Sequence, residues 1–295
     1  MTPPKKRTKS FALIGAMFGI GFVLGPYIGA RLSVPGISFF GLFNTPSWFT
    51  TSTPFWFTAT LSIINTLFVL FLLPETNDHI NKKLKMVWSK SVQNIVHAAT
   101  SKNLRVVFAA VFFFWGGFAF FQSFFQIYLK EKLGFNTNNI GDFFAYIGLW
   151  IAVTQALITP FVAKKLKNYQ VLKFSLIGNG IALFMQLLPH NSSQLLMVAP
   201  LIALFNGLTI ANTTALVSTS AGKELQGEIL GINASVQALA GSIPAIMAGY
   251  IATLGINMPV IVGGSVVIFG GLVYLIFYKP SKEILHEDVP VMMGH

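Results

Sequence analysis

An apolar run extends from Phe11 to Leu32, with no Lys, Arg, Asp or Glu before Arg31. About 20 such residues, at a rise of 1.5 Å each, cross a hydrocarbon layer roughly 30 Å thick. The pattern then repeats. Apolar stretches separated by short polar breaks predict eight helices, at 10–32, 53–73, 104–129, 140–163, 170–189, 195–220, 227–252 and 258–278. The expected fold is an all-α integral membrane bundle of about eight transmembrane helices.

Composition supports this reading, because 54% of residues are hydrophobic and only 10% are charged, outside the range of an ordinary soluble domain. A net charge of +11 would suit a nucleic-acid partner, but the basic residues gather on alternate loops, which is the signature of membrane topology. Nucleic acid is therefore set aside and membrane lipid is the expected environment. With the N-terminus in the cytoplasm, all of the 20 Lys and Arg residues except Arg31, Lys130 and Lys132 fall inside. Both termini are then cytoplasmic, the number of spans is even, and a cell (inner or plasma) membrane is the expected location. The first run is too long for a cleavable signal and is followed by further spans. The absence of Cys rules out disulfides and thiolate metal sites.

Four segments are expected: two helices in 1–73, a central loop over 74–103, six helices in 104–279 and a cytoplasmic tail over 280–295. In the loop, Ile80, Leu84, Val87, Trp88, Val92, Ile95, Val96 and Ala99 recur near helical spacing among Lys82, Lys83, Lys85 and Lys90. This suits a basic helix on the anionic cytoplasmic leaflet, the alternative being a solvated linker whose charges only set topology.

The first span is rich in glycine. Gly15/Gly19, Gly21/Gly25 and Gly25/Gly29 are each four apart and line helix faces that admit a close neighbour, while Pro26 invites a bend. On this reading Gly25→Leu disrupts helix packing and Gly25→Ala is milder.

Gly21-x-x-x-Gly25-Pro26-x-x-Gly29 also resembles the glycine-proline motif in the fifth helix of major facilitator superfamily antiporters, with Ala30 where the family usually has a second glycine. Leu73-Pro74-Glu75-Thr76 and Gln226-Gly227-Glu228 resemble two further stretches of the drug/proton antiporter branch, which includes the tetracycline exporters, in the same order and spacing. Pro160 to Lys167 is similar to the superfamily's basic cytoplasmic loop motif without its aspartate and glycines. The resemblance implies that the eight helices correspond to helices five to twelve of a twelve-helix carrier. The first four would be missing, through a split gene, a frameshift or a misplaced start. It further implies that 104–278 is a C-terminal bundle of two inverted three-helix repeats.

The implied function is proton-coupled efflux of a small amphipathic or drug-like molecule by alternating access, with the proton gradient as driving force and no cofactor. The alternative is a non-transporting fragment that needs a separate N-terminal four-helix portion or a second copy of itself. Gly21, Gly25, Pro26, Gly29, Gln226, Gly227 and Glu228 then form the gating and helix-packing motif.

Acidic residues are scarce, and only Asp142 and Glu228 touch the membrane, where an ionisable group is costly and marks function. Asp142 opens the fourth span, so it reads first as an N-terminal cap and otherwise as the coupling acid. The third span carries Phe112, Phe113, Phe114, Trp115, Phe118, Phe120, Phe121, Phe124 and Phe125 around Gln122 and Gln126. The resemblance places this span on the central cavity. Phe118, Gln122, Phe125 and Gln126 are therefore substrate-binding candidates, an aromatic wall with amides suiting a lipophilic cation. The other rings read as lipid-facing. Gln155 and Asn206 are further cavity candidates, ahead of Asn179, Gln186, Asn212, Asn233 and Gln237, which also suit bonding between helices. No phosphate-cradling loop, metal-spaced histidine pair or nucleophile–base arrangement is present, so neither an enzyme nor a metal site is expected. His286-Glu287-Asp288 reads as a solvated cluster.

Overall fold

Each of the eight apolar runs contains a helix. A computed structural model describes residues 17, 20, 21, 23–39, 43–73, 102–219 and 226–280. The helices are α1, continuous over 23–32, then α2 (Thr53–Leu72), α3 (Lys102–Leu133) and α4 (Thr137–Ala163). They continue as α5 (Asn168–Met185), α6 (Ser192–Thr219), α7 (Gln226–Thr253) and α8 (Met258–Phe277). The central loop with its amphipathic reading, Pro74, Glu75, Thr76, the first basic segment and the His286-Glu287-Asp288 tail lie outside the described residues.

Boundaries differ from expectation where caps decide them. Helix α3 runs on through Lys130, Glu131 and Lys132 to stop before Gly134, whose φ of +66° provides the left-handed turn that ends a helix. Helix α4 begins at Thr137 because the Asn136 Oδ1 accepts the Asn139 N–H at 2.9 Å. Asp142 thus lies inside the helix, and the capping role read from sequence belongs to Asn136. Between α1 and α2 there is a short antiparallel ribbon, β1 (Ser38–Phe39) against β2 (Phe43–Asn44), with Ser38 opposite Asn44. Thr45 anchors it. Its buried hydroxyl accepts the Ile37 N–H at 2.9 Å and donates to the Val34 carbonyl at 2.7 Å.

The chain divides into two compact units: residues up to 88 with 135–149, and 89–134 with 150–295. In the first unit, the early part of α4 meets α1. A Cβ at Gly141 would fall on the Ala30 methyl and lie 3.0 Å from the Pro26 carbonyl oxygen. Ala30, the departure from the glycine motif, is therefore accommodated by a glycine on the facing helix. Gly21, Gly25 and Gly29 have no described atom within 4 Å of a Cβ position, so the expected close packing on them is not made among the described residues. Helix α2 buries none of its side chains. Phe55, Trp56, Phe68, Leu70 and Phe71 are exposed around it, and a helix apolar on every side suits a lipid environment.

In the second unit, α8 lies against both α3 and α5. Its sequence holds two glycine pairs seven residues apart, and each pair serves both neighbours. A Cβ at Gly263 would lie 2.5 Å from the Gly117 carbonyl oxygen, and one at Gly270 would lie 2.5 Å from the Phe113 Cβ, both on α3. At Gly264 and Gly271 the neighbours are on α5, 3.2 Å to the Gly180 carbonyl oxygen and 2.9 Å to Ile177. Backbones in this close contact gain dispersion that larger residues would forbid. Beyond the end of α8, Tyr278 stacks on Tyr274 with ring centroids 4.6 Å apart. Burial pushes the Tyr278 phenol up to about 12, with the neighbouring Tyr169 adding to the rise.

Helix α6 runs antiparallel to α5. The Thr209 hydroxyl donates to the Ser175 Oγ at 3.0 Å, and Gln186 Nε2 donates to the Val198 carbonyl at 3.3 Å. A π-helical turn at Thr154–Ile158 interrupts α4 just before Pro160. Pro160 cannot donate a backbone hydrogen bond and its ring crowds the carbonyl four residues back, so the helix widens there. Gly207 of α6 packs on this turn, where a Cβ would lie 2.9 Å from the Thr154 Cγ2.

Candidate functional site

The rings and amides of α3 separate onto two sides of the helix. Phe114, Phe118, Phe121, Phe125 and Tyr128 form a continuous column, with successive centroids 6.2, 5.9, 4.5 and 5.2 Å apart. All five are buried, and Tyr128 donates from its hydroxyl to the Leu187 carbonyl at 3.3 Å. Gln122 and Gln126 are exposed. The side chains expected to form one surface, Phe118 and Phe125 with Gln122 and Gln126, therefore split: the rings fill the interior and the amides face out. Of the other rings, read from sequence as lipid-facing, Phe114, Phe120 and Phe121 are buried and Phe112, Phe113, Trp115 and Phe124 are partly exposed. A second apolar face of α3 lines a cleft of about 150 Å³, made by Phe112, Phe113, Gly116 and Phe120 with Ala240, Ile243, Pro244 and Val266. None of the substrate candidates lines it.

Gln155 and Asn206 come close along the fold without forming one surface. Gln155 is half-buried in the π-helical turn, and Asn206 precedes the glycine that packs on that turn. Asn206 is buried, and neither its Nδ2 nor its Oδ1 has a hydrogen-bond partner among the described residues. Sequence reasoning missed the turn itself, although Pro160 inside an apolar run was its signal.

Asp142 has a partner that the sequence did not suggest. Its Oδ1 lies 2.8 Å from Arg31 Nη1, with the Arg31 side chain 15% and the Asp142 side chain 52% exposed. The Arg31 guanidinium also sits 3.6 Å from the centre of the Tyr27 ring, a cation–π contact. This ion pair ties α1 to α4 beside the Ala30–Gly141 crossing. Asp142→Asn is expected to change thermal stability little, about 1 kcal/mol or less for so exposed a pair, whereas Asp142→Arg sets two like charges together. The double replacement Arg31→Asp with Asp142→Arg restores an ion pair, and melting curves of the three variants check the order. A double variant no better than Asp142→Arg would remove the pair from the argument. Gln226, Gly227 and Glu228 form the first residues of α7, as expected of a motif that opens a helix; their side chains lie outside the described residues.

Six described helices, α2, α3, α4, α6, α7 and α8, are long and apolar enough to cross a membrane, as a multi-pass membrane protein requires. The sequence matches the model of the Major Facilitator Superfamily over residues 1–245, and the chain belongs to that superfamily. Multidrug resistance protein 2 of Bacillus subtilis (strain 168) is 23% identical over 92% of this chain and 64% of its own length. The class E tetracycline resistance protein of Escherichia coli is 26% identical over 96% of this chain and 67% of its own length. The crystal structure of the human organic anion transporter MFSD10 matches with a TM-score of 0.68 at 18% identity, over 93% of this chain and 65% of that one. This last likeness shows the fold. The chain spans about two thirds of the length of these relatives.

Proposed function

We propose that this chain serves proton-coupled efflux of a small amphipathic or drug-like molecule by alternating access, in a cell membrane with both termini in the cytoplasm. The observation that carries the proposal is its similarity, along nearly the whole chain, to a multidrug resistance protein and a tetracycline resistance protein. Gln122 and Gln126, exposed and one turn apart on α3, are the side chains best able to meet a polar group on such a molecule. Gln155 supplies a third amide at a place where the α4 backbone departs from regular helix, a feature that recurs at functional sites. Phe118 and Phe125 support that face from behind rather than touching cargo.

Efflux of a fluorescent lipophilic cation from cells tests the reading, with this chain expressed alone and alongside a four-helix N-terminal segment from a tetracycline exporter. Dye export that collapses when the proton gradient is dissipated supports proton-coupled efflux, and its dependence on the added segment tells whether eight helices suffice. No export in either arm, with the protein present in the membrane, would overturn it.

A further inference from the structure

Asn179 on α5 and Asn206 on α6 are both buried, and none of their side-chain nitrogen or oxygen atoms has a hydrogen-bond partner among the described residues. An amide left so inside an apolar bundle is costly, by more than its hydrogen bonds would stabilise the fold if made. The two belong to one place. The Ser175–Thr209 and Gln186–Val198 hydrogen bonds fix the antiparallel register of α5 and α6. In that register Asn179 falls opposite Phe205, the residue before Asn206, and the adjacent Gly178 lies directly against the Phe205 ring. Other polar side chains of this seam are bonded: Ser175 to Thr209, Asn212 to the Leu208 carbonyl and Thr213 to the Thr209 carbonyl. Asn179 and Asn206 are at the same depth, yet they do not bond to each other.

We propose that Asn179 and Asn206 form a binding site for ordered water within the α5–α6 seam. The occupant has to donate and accept hydrogen bonds, because each carboxamide presents both an NH2 and an oxygen. It has to be uncharged, since residues 174–186 and 195–213 contain no Asp, Glu, Lys, Arg or His to balance an ion. A buried water typically makes two to four hydrogen bonds to such groups, which the two amides can supply. The seam is then held at this level by a shared solvent ligand instead of a direct side-chain pair, and the two residues act as one unit.

The test is a thermal-melting cycle on the full chain in detergent, followed by intrinsic tryptophan fluorescence. Asn179→Leu and Asn206→Leu keep the side-chain shape and remove its hydrogen bonding, so each strands the water and the other amide. Each is expected to lower the melting temperature by about 5 °C, and the double variant is expected to melt no lower than the worse single one. Asn179→Ser and Asn206→Ser retain a donor and an acceptor and leave room for one more water, so both are expected to melt within about 2 °C of the parent. Losses that add in the double variant, or serine variants as damaged as the leucine variants, would overturn the proposal. Should the leucine variants give no folded protein, the serine pair decides alone, because a direct amide-to-amide contact or simple packing would be lost with serine while a hydrated site keeps its bonds.

Discussion

Gly263→Leu is expected to leave little folded protein, while Gly25→Leu in the same chain is expected to be tolerated. A Cβ at Gly263 would lie 2.5 Å from the Gly117 carbonyl oxygen and 3.1 Å from the Phe120 Cβ, and neither can move without moving α3. The next residue, Gly264, meets Gly180 of α5, with 3.2 Å from a Cβ position to the Gly180 carbonyl oxygen, so α8 cannot retreat from one neighbour without pressing on the other. Overpacking of an ordinary core costs about 1–3 kcal/mol; here it acts on two backbones at once, and the loss exceeds that range. Gly25 has no described atom within 4 Å of a Cβ position. Fluorescence-detected gel filtration of detergent-solubilised protein reads the outcome, with roughly a tenfold smaller folded peak for Gly263→Leu than for Gly25→Leu. Equal peaks would mean that the α3–α8 crossing is not what holds the second unit together.

The second large effect is expected at Phe125. Its side chain is 0% exposed, with ring centroids 4.5 Å from Phe121 and 5.2 Å from Tyr128. Truncation to alanine removes a full ring from the middle of a stacked column, and Phe→Ala in a closed core costs about 3–5 kcal/mol. Phe125→Ala should therefore melt far below the parent. Gln122→Ala and Gln126→Ala should melt with the parent because both side chains are exposed. If the proposed function holds, the glutamine variants change dye export instead. A stable Phe125→Ala protein with altered export would return Phe125 to the substrate surface.

The Phe125 result separates two kinds of legibility in this chain. Spans could be located from sequence because the bilayer imposes a length: a backbone without water must close its hydrogen bonds within a helix, and about 20 apolar residues are needed to cross. Hence each of the eight runs contains a described helix, with ends set by caps such as Asn136 and Gly134. The superfamily was legible as well, through short motifs on α1 and at the opening of α7.

Facing was not legible. In a soluble helix the buried side is apolar and the wet side polar, so periodicity reveals it. Lipid and protein interior are equally apolar, so a run such as Phe112 to Phe125 carries no mark of which rings turn inward. Only packing against α6, α7 and α8 put Phe114, Phe118, Phe121 and Phe125 inside and left Gln122 and Gln126 out. The same holds for glycine: among the described residues nothing packs on Gly21, Gly25 or Gly29 of α1, while the unremarked pairs Gly263-Gly264 and Gly270-Gly271 bring α8 tightly against α3 and α5. Pairing across distance, Arg31 with Asp142 and Asn179 level with Asn206, likewise exists only once the helices are set side by side. Sequence by itself determined where the described helices of this chain lie and the family they belong to, since both rest on local chemistry along one strand of chain. Tertiary structure alone decided which faces meet, because in an apolar medium shape, and not polarity, selects the contact.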